Sequence, residues 1–272
     1  MKQPSLKLNT GQDIPQVGLG LWQVKDSQTF NAIIDTAIEA GYRHFDSAQI
    51  YGNENLLGKA WRQSGLQRQD IFITTKISVT HFGSVLTKKS FETSLKKLET
   101  DYVDLLLLHF PVTGLRKSSW LELERIHAAG KARSIGVSNY TIKHLEQLKD
   151  YATVVPAVNQ VELHVFLQQP ELRDYCRTNG IVIEAYSPLA HAKDMSEPVI
   201  IKIAAKHSKS YAQIMLRWCL QQDLVVLPKS VTPQHIKSNI DIFDFSLDEA
   251  DMAELAKLSR NLRTCWDPTN IP

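Results

Sequence analysis

In YRHFDSAQIYGNEN (Tyr42 to Asn55) a short apolar run ends in Asp46, and the phenol of Tyr51 follows five residues later. IFITTK ends in Lys76 and VDLLLLH ends in His109 in the same way. An ammonium beside a tyrosine favours the phenolate, so Lys76 is expected to lower the pKa of Tyr51. Asp46 would hold Lys76 charged and oriented, and His109 would bring a second hydrogen-bond donor to the same point. Together they make a phenol able to release a proton near neutral pH, beside a donor that polarises a carbonyl. That chemistry suits carbonyl reduction, where hydride reaches carbon while oxygen is protonated. Singly, each residue has a plainer reading: Asp46 and Lys76 as a structural ion pair, His109 as a strand cap, Tyr51 as a surface residue.

The elements that must position these groups alternate along the whole chain. Strands are predicted at 16–20, 42–46, 71–76, 103–109, 133–138, 156–160, 181–186 and 224–228, several as near-continuous apolar runs. Such runs mark parallel strands covered by helices. Between them lie amphipathic stretches such as SQTFNAIIDTAIEAGY, with Phe30, Ile33, Ile34, Ala37 and Ile38 at helical spacing and Gly41 as the stop. Two helices, 197–207 and 210–221, follow the seventh strand, and a capping box of Ser246 and Glu249 opens a last one. This pattern reads as an α/β fold, a single (β/α)8 TIM barrel over residues 1–272. It carries an N-terminal β-hairpin turning at NTGQD, extra helices and a C-terminal tail, RTCWDPTNIP; an open doubly wound sheet is the competing fold. In such barrels the chemistry sits beyond the C-terminal strand ends. Those ends read Asp46, Lys76, His109, Ser138 with Asn139, Gln160, Tyr186 and Lys229.

Of the 272 residues 43% are hydrophobic and 22% charged, with a formal net charge of +2, so neither nucleic acid nor an anionic membrane is an expected partner. Cys176, Cys219 and Cys265 lie far apart without a CxxC, which argues against a disulfide framework and a structural zinc; no metal is expected. The N-terminal stretch lacks an apolar h-region, and the longest apolar run is too short to cross a bilayer, so a cytoplasmic protein is expected. GNENLLGKA and GLGLWQ each fall short of a phosphate or dinucleotide loop. Glu184 reads as half of an ion pair buried inside the barrel.

The segments DSAQIYGNE, TTKI, DYVDLLLLHFP, SIGVSNY, VNQVELH, AYSPLA and LPKSVTPQHIKSN, in this order, resemble the aldo-keto reductases, most of all the bacterial group that includes diketogluconate and glyoxal reductases. The resemblance runs from about residue 5 to residue 265. It implies a catalytic tetrad of Asp46, Tyr51, Lys76 and His109, with Tyr51 as general acid. It further implies that Ser138, Asn139 and Gln160 hold a nicotinamide carboxamide while Tyr186 stacks on the ring. Ser187 and Leu189 would line the pyrophosphate path, and Lys229, Ser230 and His235 the 2′-phosphate. Val231 and Thr232 would bind the cofactor in the same adenosine-holding segment, and Asn239 would meet the adenine. Many NADPH-using relatives carry an arginine where this chain has His235, so NADPH is the expected cofactor with NADH use left open. Trp22, Tyr51, His109 and Phe110 would line the substrate pocket. Ser78 replaces a tryptophan of some relatives and segment 191–197 is brief, which implies an open pocket for small or polar carbonyls. Trp266 would either fold over that mouth or pack on the barrel wall. A monomer is expected. Two other readings stay open: a cofactor-binding regulatory protein on the same barrel, and an aldolase-like Schiff base on Lys76, which a partner carboxylate would disfavour.

Overall fold

In a computed structural model, which describes residues 3–192 and 196–272, eight parallel strands close around an apolar centre. The brevity expected of segment 191–197 falls, at residues 193–195, outside the described residues. A hairpin of β1 (Ser5–Lys7) and β2 (Asp13–Pro15) precedes the barrel, with Gly11 at φ 83° in its turn. The barrel strands are β3 (Leu19–Gly20), β4 (His44–Asp46), β5 (Phe72–Ile77), β6 (Val103–Leu108), β7 (Ala132–Ser138), β8 (Val158–Glu162), β9 (Val182–Tyr186) and β10 (Val225–Leu227), each paired in parallel with the next. Closure between first and last is made by backbone bonds from Gly18 N–H to Val226 O at 2.9 Å and from Val226 N–H to Gln16 O at 2.8 Å. Gly18 allows this approach, because a Cβ there would lie 2.6 Å from Leu227 Cδ2 and 2.7 Å from the His44 ring.

The period of two along each strand sorts residues between two apolar clusters. Phe72, Leu105, Leu107, Val158 and Val225 point inward and pack with Leu8 and Ile14 of the hairpin, which plugs the floor. Ile73, Leu106 and Leu108 point outward against the helices. Each buried leucine or phenylalanine is worth about 1.5–3 kcal/mol relative to exposure. Towards the strand ends the inward row turns polar: His44 and Asp46 on β4, Thr74 and Lys76 on β5, Gln160 and Glu162 on β8, Glu184 on β9, all buried.

The helical layer comprises α1 (Ser27–Ala40), α2 (Glu54–Gln63), α3 (Ser84–Lys97), α4 (Arg116–Ala128), α5 (Ile142–Lys149), α6 (Pro170–Thr178), α7 (Pro198–His207), α8 (Tyr211–Leu220), α9 (Pro233–Ile240) and α10 (Glu249–Ala256). Helix α1 buries Phe30, Ile33, Ile34 and Ala37, is capped by Asp26 accepting from Thr29 N–H, and stops at Gly41 with φ 101°. The box expected of Ser246 and Glu249 is instead formed two residues later, by Asp248 and Asp251. Asp248 precedes the first helical residue and its carboxylate accepts from Asp251 N–H, whereas Leu247 is buried and anchors the approach. After α10 the chain crosses the barrel top. Glu162 accepts from the backbone N–H of Thr264 and Cys265, and further on Arg116 and His144 hold the backbone oxygens of Pro272 and Ile271. Among the described residues no helix is long and apolar enough to cross a membrane.

Candidate active site

Asp46, Tyr51, Lys76 and His109 meet at the C-terminal end of the barrel. Lys76, fully buried on β5, reaches Asp46 Oδ1 at 2.8 Å and Oδ2 at 2.6 Å on the neighbouring β4, Ser47 O at 3.0 Å and Tyr51 Oη at 3.2 Å. Tyr51 ends a short 3-10 turn, Gln49–Tyr51, closed by Gly52 at φ 70°. His109, just beyond β6, packs its ring edge-on to Tyr51 with centroids 5.8 Å apart. An ammonium has only donors, so the Tyr51 oxygen accepts from Lys76 and its own hydrogen points elsewhere.

The electrostatics of the four groups follow from burial first. Burial raises the Tyr51 pKa more than the adjacent Lys76 charge lowers it, with Asp46 adding to the rise. The phenol is therefore held protonated, a correction to the expectation of a lowered pKa: a site this enclosed penalises the phenolate before a partner compensates it. Burial also opposes the Lys76 charge, yet Asp46 and Tyr51 keep the ammonium above its ordinary range. Burial and the Lys76 charge push His109 down to about 3, so its ring is neutral at physiological pH and carries one N–H donor. A phenol polarised by a fixed cation beside a neutral imidazole donor can protonate and polarise a carbonyl oxygen.

A second group of polar residues adjoins the first. Asn139, at φ 64°, follows β7 in the left-handed region that asparagine tolerates. Its Nδ2 donates to His109 O at 3.1 Å and Ser138 Oγ at 3.0 Å, and its Oδ1 accepts from Tyr186 Oη at 2.7 Å. Ser138 Oγ donates to Gln160 O at 2.9 Å. Gln160 Nε2 donates to Asp46 Oδ1 at 2.9 Å and Glu184 Oε2 at 2.5 Å. With their amide hydrogens so engaged, Asn139 and Gln160 retain acceptor oxygens, which suit the NH2 of a primary carboxamide. After Tyr186, the non-glycine residues Ser187, Ala190 and His191 all have positive φ, 49–53°, a concentration of strain typical of ligand-holding loops. Ser187 Oγ lies 3.1 Å from His191 Nε2, and Leu189 packs on the core.

Lys229, Ser230, Val231, Thr232 and His235 gather around the N-terminus of α9, where Lys229, Val231, Thr232 and His235 are exposed and Ser230 Oγ accepts from Thr232 N–H at 3.0 Å. A cation, hydroxyls, an imidazole and an uncapped helix start form a donor set that fits a phosphate. Asn239 lies on the buried side of the same helix. Next to this set a cavity of about 280 Å³ opens between α1 and α9, lined by Gln28, Thr29, Ala32, Ile33, Val231 and Pro233. The α1 residues were not foreseen, since nothing in an amphipathic helix marks which residues border a neighbouring loop.

Around the mouth, Trp22 is half-exposed and meets His191 edge-on at 6.0 Å. Phe110 meets Trp266 edge-on at 6.1 Å, which joins the tail to the segment just beyond β6 and leaves Trp266 70% exposed. Ser78 is buried and caps a short turn instead of facing the opening. Sequence reasoning missed Glu162, which accepts from Thr264 Oγ1 at 2.5 Å and from Cys265 N–H at 3.1 Å. Burial opposes its charge, but these donors and His164 bring its pKa down to about 2. The period-two relation to Gln160 was the available signal. Glu184, expected in an ion pair, faces His44 Nε2 at 3.4 Å with both groups driven towards neutrality by burial, to about 8 and about 3.

A family model described as Aldo/keto reductase family matches residues 16–193 and 196–260. The chain belongs to the aldo/keto reductase family. It is an NAD(P)H-dependent oxidoreductase built on the (β/α)8 barrel. Glyoxal reductase of Bacillus subtilis (strain 168) is 42% identical over 267 residues, 98% of this chain and 97% of that one. An aldo-keto reductase enzyme from a Medee basin deep-sea metagenome library superposes with a TM-score of 0.95 at 42% identity, covering 98% of this chain and 100% of its own. An aldo-keto reductase of Bombyx mori, solved in complex with NADP, has a TM-score of 0.91 at 31% identity, covering 97% and 95%. Membership in this family supports carbonyl reduction as the reaction class.

Proposed function

We propose that this protein reduces small or polar aldehydes and ketones, such as 2-oxoaldehydes or keto sugars, to alcohols with NADPH, and that Tyr51 is the general acid. The observation that carries this reading is the 3.2 Å contact from Lys76 Nζ to Tyr51 Oη, made by an ammonium that Asp46 grips with both carboxylate oxygens. When bound, the reduced nicotinamide supplies the hydride. The substrate oxygen takes a hydrogen bond from neutral His109 and the proton from Tyr51, whose phenolate Lys76 then stabilises. Asp46 holds Lys76 charged throughout.

The acceptor oxygens of Asn139 and Gln160 suit the carboxamide end, with Ser138 orienting the first and Asp46 and Glu184 the second. Tyr186, whose hydroxyl is fixed on Asn139, offers its ring for stacking, and the strained turn at Ser187 and Leu189 carries the chain past the pyrophosphate. Lys229, Ser230, Val231, Thr232 and His235 would surround the 2′-phosphate, with Asn239 near the adenine. Similarity to a NADP-bound silkworm relative supports NADPH, and similarity to a glyoxal reductase supports small dicarbonyl substrates. Trp22, Phe110 and Trp266 would flank a substrate placed against Tyr51 and His109.

The test is parallel consumption of NADPH and NADH by the purified protein with methylglyoxal, an aromatic aldehyde, an aldose and a diketo sugar acid. Tyr51→Phe is expected to lower turnover by about 10²–10⁴-fold while the cofactor Kd changes little. Retained turnover would refute the general-acid role. Tight cofactor binding without turnover on any carbonyl would favour the regulatory reading.

A further inference from the structure

Glu184 is a fully buried ionisable residue that the proposed chemistry leaves without a task. From β9 its Oε2 receives Gln160 Nε2 at 2.5 Å, while its Oε1, 3.4 Å from His44 Nε2, finds no donor. The other ring nitrogen of His44, Nδ1, faces Pro15 O at 3.4 Å. A carbonyl oxygen only accepts, so Nδ1 carries the ring hydrogen and Nε2 is an acceptor, shared with Thr74 Oγ1 at 3.1 Å. A carboxylate against an acceptor nitrogen would be an uncompensated buried charge. A carboxylic acid with its hydrogen on Oε1, facing His44 Nε2 across 3.4 Å, carries no such charge and turns a donor towards that acceptor. Burial followed by the Asp46 charge drives Glu184 in the same direction.

Glu184 Oε2 and Asp46 Oδ1 together decide how Gln160 lies. The two Nε2 hydrogens meet Asp46 and Glu184; reversed, the amide would set its oxygen against the Asp46 carboxylate. Building on the proposed cofactor, we propose that Glu184, held as the neutral acid, is a positioning residue for the nicotinamide end: it locks the Gln160 amide and keeps a second negative charge out of the tetrad. The titratable or charged groups facing it are His44 and Asp46 from β4, Lys76 from β5 and Tyr51 from the turn after β4. β8 contributes Gln160 and β10 places Val225 alongside. Loss of the Glu184 proton puts a second carboxylate beside Asp46, which favours the positively charged oxidised nicotinamide over the uncharged reduced ring.

The experiment measures Kd for NADPH and for NADP+ by quenching of intrinsic fluorescence between pH 6 and pH 10, in the unaltered protein, Glu184→Gln and Tyr51→Phe. Taking the ratio of the two constants cancels titration of the phosphates and of His235. In the unaltered protein and in Tyr51→Phe, Kd for NADP+ relative to NADPH should fall roughly three- to tenfold through an alkaline inflection. In Glu184→Gln the ratio should stay flat, and affinity for NADPH at pH 7 should remain within about threefold, because an amide can also donate to His44 and accept from Gln160. A flat ratio in the unaltered protein overturns the proposal, as does an unchanged inflection in Glu184→Gln or its loss in Tyr51→Phe. Failure to bind either cofactor at any pH overturns the functional reading itself, and this inference with it.

Discussion

Lys76 Nζ lies 3.2 Å from Tyr51 Oη, and the direction of that bond, ammonium to phenol oxygen, leaves the tyrosine hydrogen free for a ligand. The same nitrogen is the counter-charge of Asp46, which is buried at 3% exposure. Lys76→Met should therefore act twice. Turnover is expected to fall about 10²–10⁴-fold, the usual worth of a general acid. Unfolding free energy should fall by about 3–5 kcal/mol, since a buried carboxylate loses its partner. Steady-state kinetics with methylglyoxal and urea unfolding check the two effects, and turnover above a tenth of the original would contradict the first.

Burial of neutral histidines gives the pH dependence of stability a definite sign. His44 and His109 move from 6.5 to about 3 on folding. Their folded pKa is depressed, so the unfolded chain binds more protons, and their favourable contribution, present above about 6.5, is lost as pH falls towards 3. Between pH 7 and pH 5 this amounts to about 2 kcal/mol for each ring. Glu184 runs the other way. Its folded pKa is raised from 4.5 to about 8, so its contribution is full below 4.5 and lost as pH rises through about 8. It should offset part of the acid loss and remove about 1 kcal/mol between pH 7 and pH 9. Urea midpoints at pH 5, 7 and 9 test this, and His44→Gln should flatten the acid side.

Much of this arrangement was legible in the chain. Seven of the eight barrel strands lie within two residues of the runs that predicted them, and β3 forms only the last two residues of its run, because parallel strands buried on both faces leave an unmistakable composition. The strand-end polar residues Asp46, Lys76 and His109 were readable because a barrel mouth otherwise has no use for them. The sign of the Tyr51 shift was not, since sequence names the charged neighbour but not the depth of burial that outweighs it. Nor was the neutral state of Glu184 and His44, which depends on two strands far apart in the chain meeting across the barrel. The Ser246 cap failed for a smaller reason: two acceptable acid-containing boxes overlap in SLDEAD, and burial of Leu247 chooses the later one.

His235 is exposed near the start of α9, where an imidazole makes a weaker partner for a dianionic phosphate than a guanidinium. His235→Arg should raise the preference for NADPH over NADH about tenfold, chiefly through a lower Kd for NADPH. Fluorescence titration with both cofactors checks it. An unchanged ratio would mean that the phosphate is held by Lys229 and the α9 N-terminus without help from this position.

Gly18 ties barrel closure to the interior of the site. A methyl group there would press on Leu227 Cδ2 from one side and on the His44 ring from the other, at 2.6 and 2.7 Å, both well inside contact distance. Gly18→Ala should thus lower stability by about 1–3 kcal/mol, the range for overpacking a tight core. The urea midpoint should drop with the slope unchanged, because the strained contact is local and the surface exposed on unfolding is the same. Displacing His44 also lengthens its 3.4 Å approach to Glu184, so the loss should carry a pH signature: Gly18→Ala is expected to weaken the alkaline decline in stability that Glu184 causes. A midpoint equal to that of the unaltered protein would show that strands β3 and β10 can part at this point without disturbing closure.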